Sequence, residues 1–370
     1  MSQRQPHAVP MNETPARRCH GFTVVELLVV ISTIGMLMAL LLPAVQQARA
    51  TARRAQCANN MRNIAIAVLG DTDAKGRFPA IGHFGQGGDY HSWVVQILPW
   101  LERTDIQRQW DFSVTCNASP NAALAQTSIA VLTCPSDDSV SGGQGNLSFV
   151  VNAGVGFTIP VDCPAVFRSA LSPTPGVQPI DLNGNGLVSL NPSAPDGRPS
   201  DRDLFYQLSL FFIENWPLGS GTVRHHSIAS VSDGASQTLM LAENVRAGYN
   251  PATKSNWSWP QPQLNAFMLS GYICKDASCT SSGVDYAKAN SHAGGPWSYE
   301  AINAALREAE GMAPWPSSYH PGGVNVMFVD GHLRFLSQDV DGSAYASLVT
   351  PQGMRVVGPL SQSPIGDEQY

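Results

Sequence analysis

From Phe22 to Leu42 the chain is apolar apart from Thr23, Glu26, Ser32 and Thr33. As a helix this run reaches about 31 Å, the thickness of a bilayer's hydrocarbon core, and predicts a transmembrane segment over 22–42. Pro43 follows, where it removes a backbone donor and crowds the preceding turn. The helical period then resumes, with Val45, Ala48, Ala52, Ala55, Ala58, Met61, Ala65 and Val68 at spacings of three and four. Arg49, Arg53, Gln56, Asn60 and Asn63 fall mostly elsewhere. The pattern predicts one helix from Phe22 to about Leu69, roughly 70 Å long, apolar in its first half and amphipathic in its second, with Gly70-Asp71 as its stop.

Beyond the helix the pattern predicts a globular β-rich domain over 70–350 and a tail over 351–370. Gly82 to Gly88 reads as a loop and Ser92 to Leu101 as an apolar element. Ile129 to Thr133, Leu147 to Val151 and Gln237 to Glu243 read as short strands, and Asp203 to Ile213 as a further apolar stretch. Between Pro160 and Arg202 the density of Pro, Gly, Asn and Asp predicts a surface insertion over 160–202. Two β-prone runs, 324–329 and 332–336, flank Asp330-Gly331 and predict a hairpin closed by a type I′ turn. The fold class is α+β, a long N-terminal helix packed on an antiparallel β-rich domain, with no internal repeat.

Charge changes this picture in one respect. The net charge of -6 and the lack of a basic face exclude general nucleic-acid binding. Arg17 and Arg18 before the apolar run and Arg49, Arg53, Arg54 and Arg62 after it leave its orientation open. A cleaved secretory signal has a shorter apolar region that ends at small residues. Here the small residue, Gly21, comes first, and that order points to a cut before the apolar helix.

Gly21-Phe22-Thr23-Val24-Val25-Glu26-Leu27-Leu28-Val29-Val30 resembles the cleavage and methylation motif of type IV prepilins and type II secretion pseudopilins. The resemblance implies a leader over 1–21, cleaved by a prepilin peptidase between Gly21 and Phe22, and methylation of the new N-terminus. Cys19 and His20 depart from the basic residues common before the glycine. Glu26 becomes the fifth residue of the mature chain, and an ionised carboxylate in hydrocarbon costs several kcal/mol unless paired. In assembled pilins the carboxylate meets the N-terminal amine of a neighbouring subunit. Here that implies a contact between Glu26 and Phe22 of two copies. The bland reading is a helix-start acid stabilised by the macrodipole and interfacial water. Pro43 also stands where many pilins carry a kinking proline, and the whole outline implies the ladle shape of a pilin.

Four further stretches, Cys57-Ala58-Asn59-Asn60-Met61-Arg62, Cys134-Pro135-Ser136-Asp137, Ser232 to Thr238 and His320 to Leu336, resemble planctomycete pilin-like proteins with a domain of unknown function. The resemblance spans roughly Gly21 to Leu336. It implies a fold and no activity. The expected protein is a single-pass inner-membrane subunit of a filament or secretion pseudopilus, with its globular part on the periplasmic or extracellular side. Its partners would be the prepilin peptidase, other pilin subunits and membrane lipid. The alternative is a membrane-tethered protein that binds a surface ligand or glycan without polymerising.

Candidate chemistry is sparse. Removing the leader deletes Cys19 and leaves six cysteines, whose pairing the sequence does not choose. Cys274 and Cys279 enclose a short loop and can pair locally. Cys57 and Cys134 lie in two family-like motifs and can tie the helix to the body, with Cys116 and Cys163 left over. Asp181, Asn183, Asn185 and Gly186 imitate the start of a calcium loop, but Pro192 holds the position of its closing glutamate, so an Asn-Gly turn is preferred to calcium. His320, Asp330 and His332 are competent metal ligands, yet roles in the turn and rim account for all three. Adjacent His225 and His226 read as polar loop residues. Trp257, Trp259, Trp297, Trp315 and Tyr319 suit core packing better than a glycan face. No hydrolase elbow, zincin or Walker motif is present, and neither an enzyme nor a cofactor is expected.

Overall fold

The computed structural model describes residues 23–85, 89–140, 144–155, 201–214, 225–248, 255–269, 273, 285–292, 300–308, 310–311, 313–356, 361–364 and 366. Helix α1 runs from Val24 to Lys75 with Pro43 inside it. Two compact units divide the chain, Met1–Arg49 and Ala50–Tyr370.

In the second unit the α1 face that turns inward is Cys57, Met61, Ile64, Ala65, Val68, Asp71 and Thr72, whereas Ala52 and Ala55 are exposed. The amphipathic period is therefore correct from Cys57 onward. The predicted stop at Gly70-Asp71 is not. Gly70 lies against the Trp100 indole, where a Cβ would come within 2.7 Å of the ring. Its small size serves close packing. Asp71 is buried and paired with Lys75 at 2.8 Å one turn on. The helix ends before Gly76, whose φ of +69° supplies the left-handed residue that commonly follows a helix.

Strands β1 (Gly82–Phe84) and β2 (Tyr90–Ser92) form a hairpin, so the loop expected at Gly82 begins as a strand. The apolar element after Ser92 is helix α2 (Trp93–Ile97) continued by a 3-10 turn over Leu98–Leu101. Short helices α3 (Thr104–Gln107) and α4 (Asn121–Leu124) follow. The strand expected at Ile129 to Thr133 is a 3-10 turn over Ala130–Leu132. Asn60 of α1 donates to the Thr133 carbonyl at 2.9 Å and to that of Ala130 at 3.3 Å, holding this segment curled against the helix.

Strand β3 is Phe149–Val155, and helix α5 (Asp201–Leu208) leads to β4 (Ile213–Glu214). Strand β5 is Leu239–Glu243, helix α6 Pro262–Asn265 and β6 Ala266–Leu269. Strands β7 (Gly323–Phe328) and β8 (Leu333–Ser337) precede helix α7 (Gly342–Val349). One sheet has the order β2-β1-β4 and the other β6-β3-β5-β7-β8. The β1/β4 and β3/β6 pairs are parallel, so the sheets are mixed where an antiparallel arrangement was expected.

Both faces of the larger sheet are covered, which explains why its central strands read as unbroken apolar runs. Phe149, Val151 and Met327 pack with the α1 residues Met61, Ile64 and Val68. Val150, Val324, Val326 and Phe328 point the other way, onto Tyr345, Leu348 and Val349 of α7. Of the insertion expected over 160–202, residues 160–200 lie outside the described residues.

The β7–β8 hairpin is present, but its turn differs from the type I′ expectation. Gly331 N donates to the Phe328 carbonyl and Phe328 N to that of His332, both at 3.0 Å. Only Gly331, at +86°, has positive φ. This is a three-residue loop with a bulge at glycine, in which Asp330 keeps an ordinary backbone conformation. Gly331→Ala is expected to destabilise the full-length protein by about 1–2 kcal/mol, the cost of left-handed backbone, because only Leu69 lies near its Cβ, at 3.7 Å. Gly323→Ala is expected to cost more, since its Cβ would meet the Leu336 carbonyl oxygen at 2.0 Å. Chemical denaturation of both variants checks the order.

Candidate functional site

The first unit presents a helix whose apolar side chains face outward, including Val24, Leu28, Ile31, Leu37, Leu41 and Leu42. Glu26 stands in its first turn. The Thr23 amide and hydroxyl both donate to Glu26 Oε2, at 2.9 and 2.7 Å, and Glu26 N donates back to Thr23 Oγ1 at 3.2 Å. Thr23-Val24-Val25-Glu26 is thus a capping box that satisfies donors left open at the helix start. Gly21 and Phe22 lie outside the described residues. Pro43 is accommodated within the continuous helix.

In the second unit, three of the stretches singled out in the sequence converge. Cys57 of α1 is disulfide-bonded to Cys134, which closes a loop with a sequence separation of 77. Cys134 Sγ lies 3.6 Å from His320 Nε2, and the same nitrogen is 3.2 Å from Glu243 Oε1. Glu243 has no exposure to solvent and accepts from Asn325 N at 2.8 Å and Asn325 Nδ2 at 2.9 Å. The His320 amide is held by Ser318 Oγ, whose hydroxyl donates to the Gly323 carbonyl. The fourth stretch grips the far end of the hairpin: Val329 N donates to the Thr238 carbonyl and Asp330 N to that of Ala235. The two sulfurs, Glu243 and His320 lie close enough to share an ion. The closed disulfide withholds the thiolates such binding would use, so the cluster is a structural fastening.

Asp137 of the Cys134 stretch is also structural. It accepts from Ser148 Oγ and Ser139 Oγ at 2.6 Å, and burial raises its pKa. Cys116, a disulfide candidate from the sequence, is a free buried thiol whose pKa burial pushes up to about 12. It packs in the core beside the Ser258 hydroxyl, and no cysteine approaches it among the described residues. Cys163, Cys274 and Cys279 lie outside those residues, as do Asp181, Asn183, Asn185 and Trp297.

His320 does not join Asp330 and His332. It precedes β7, whereas they follow it, where His332 Nδ1 contacts Asp330 Oδ1 at 2.6 Å and its ring stacks on Phe328. The shared-metal reading of these three residues fails for this reason. His226 is buried against the Tyr206 carbonyl and Ser230 Oγ, and burial lowers its pKa. Trp257 and Trp315 are core residues, so the aromatic series does not form a glycan face among the described residues.

Sequence reasoning missed the Thr23–Glu26 capping box, although its T-x-x-E spacing was legible. It also missed Glu243, whose signal was an acid ending the apolar run Leu-Met-Leu-Ala-Glu. The family described as "Protein of unknown function (DUF1559)" matches residues 46–343, most of the chain. No curated protein and no solved structure matches it.

Opening the disulfide with Cys57→Ala and Cys134→Ala together is expected to cost about 4 kcal/mol, from the entropy that the long loop regains in the unfolded chain. Glu243→Ala is expected to cost on the order of 3 kcal/mol, because Asn325 and His320 lose a fully buried acceptor. Equilibrium denaturation under oxidising conditions measures both.

Proposed function

Because the chain belongs to this family, which is the planctomycete pilin-like family, we propose that it is a subunit or minor component of a type IV pilus-like filament or secretion pseudopilus. Hydrolysis of the Gly21–Phe22 bond by a prepilin peptidase would free an ammonium at Phe22, and methylation would leave its positive charge in place. The observation that carries the reading is Glu26, the lone acid in a stretch whose apolar side chains all face outward. Both Thr23 bonds end on Oε2, which leaves Oε1 to accept from the ammonium of a neighbouring copy. In hydrocarbon the isolated subunit carries a charge that costs several kcal/mol, and assembly neutralises it. Apolar packing between helices supplies the rest of the association, and the role is structural, not catalytic.

The disulfide supports an orientation that the arginines leave open. Such bonds persist in oxidising compartments, and Cys57 follows the apolar run closely. The globular unit therefore belongs on the periplasmic or extracellular side of a single inner-membrane span.

Glu26→Leu is expected to retain membrane insertion and to lose at least tenfold in filament incorporation, measured by shearing and quantifying the surface fraction. Unchanged incorporation would exclude the charge-pair account. A chain found only as a tethered monomer would support surface ligand binding instead. Mass spectrometry of the purified protein is expected to find a methylated Phe22 at the N-terminus, and an intact Met1 would overturn processing.

A further inference from the structure

The smaller sheet carries an arrangement that the assembly role does not use. In the order β2-β1-β4, His91 pairs with His83 and His83 with Glu214. Directly paired residues point to the same face, so the three side chains form one row across the sheet. Asp89 precedes His91 by two residues and falls on that face as well. His83 Nδ1 lies 3.3 Å from Asp89 Oδ2 and 3.3 Å from Glu214 Oε2, and His91 Nε2 lies 3.0 Å from Asp89 Oδ1.

The tautomers make this row unusual. His91 Nδ1 is 3.1 Å from the Ser92 carbonyl, and a carbonyl only accepts, so Nδ1 carries hydrogen. Nε2 then directs a lone pair at the Asp89 carboxylate unless a proton or a cation lies between them. Among the described residues the buried Nδ1 of His83 makes no hydrogen bond, although two carboxylates face it at 3.3 Å. Arg77 and His225 engage the other oxygen of Glu214, with His225 Nε2 3.0 Å from it.

We propose that His83 Nδ1, Asp89 and His91 Nε2 bind one zinc-like divalent cation, with Glu214 as a second carboxylate beside His83. The ligand atoms of the three residues lie within 4.8 Å of one another. Each imidazole nitrogen lies 3.0–3.3 Å from an Asp89 oxygen, His91 from Oδ1 and His83 from Oδ2, close to the ligand–ligand spacing of about 3.3 Å that zinc bonds of about 2.0–2.1 Å give in a tetrahedron. Two imidazoles with a carboxylate suit zinc or cobalt. The Ser92 carbonyl fixes the His91 ring from behind, as outer-shell acceptors do in metal centres. The Asp89 side chain is 41% exposed, so an ion reaches the row from solvent.

The test uses full-length protein in detergent, with accessible thiols alkylated and metal removed by chelation. It is titrated with Zn2+ by equilibrium dialysis and with Co2+ by visible spectroscopy. One saturable zinc per chain is expected, together with the intense visible bands of tetrahedral cobalt. Asp89→Asn and His91→Gln are each expected to weaken zinc binding at least tenfold and to abolish the cobalt bands. His332→Gln, at the exposed pair on the hairpin, is expected to change neither. Asp89→Asn replaces an exposed carboxylate by its isostere, and an unchanged circular dichroism spectrum certifies its fold. Absence of saturable binding, or equal binding by all three variants, would overturn the proposal and leave a proton on His91 as the charge that holds Asp89.

Discussion

A fully buried carboxylate organises the globular unit. Glu243 ends β5, where the next ladder pair after Ala242 and Val326 would set it opposite Asn325. Its side chain takes both the amide and the side-chain nitrogen of Asn325. From the same residue the contacts run through His320 to the Cys57–Cys134 disulfide and so to α1. An unpaired charge at that depth costs several kcal/mol, so the segments around it are held to positions that keep its oxygens satisfied.

Legibility followed the range of the interactions involved. The exposed apolar run, the inward face of α1 beyond Cys57 and the β7–β8 hairpin depend on local periodicity and turn residues, and they were readable. Gly70 looked like a helix stop because a glycine's role as a seat for Trp100 depends on a residue some thirty positions away. The segment around Ala130 looked like a strand until Asn60 held it curled. Asp330-Gly331 announced a hairpin but not its turn type, since anchoring of Val329 and Asp330 by the Thr238 and Ala235 carbonyls is a tertiary constraint. The histidine row was invisible for the same reason. His83 and His91 are near in sequence, but the strand that brings Glu214 beside them pairs in parallel, a contact no local signal announces.

The acids of this chain show how environment assigns a role. Glu26 belongs to an apolar helix with outward-facing side chains and accepts from the amide and hydroxyl of Thr23 at its own helix start. Asp71 shares one helix with it but is buried, and its Lys75 partner comes from the following turn. Glu214 divides its oxygens between Arg77 with His225 on one side and His83 on the other. A carboxylate near neutral pH needs donors or positive charge wherever water is excluded, and in each case the local fold determines which of these it meets.

Glu243 carries this logic furthest, because its side chain does a job that a backbone carbonyl ordinarily does. Asn325 N donates to Oε2 of Glu243, while the Glu243 backbone oxygen accepts from Ser317 N at 2.9 Å. The carboxylate thus satisfies the β7 amide and releases its own carbonyl to hold a segment outside the sheet. That segment runs directly to Ser318 and His320, and so back to the carboxylate. An apolar residue at this position would leave the Asn325 amide without an acceptor. A glutamine in the same pose would set its NH2 group against one of the two Asn325 nitrogens, a donor facing a donor. The carboxylate thereby closes a loop of contacts on itself at the edge of the β5–β7 ladder, from Asn325 through Ser317 and His320 back to Glu243.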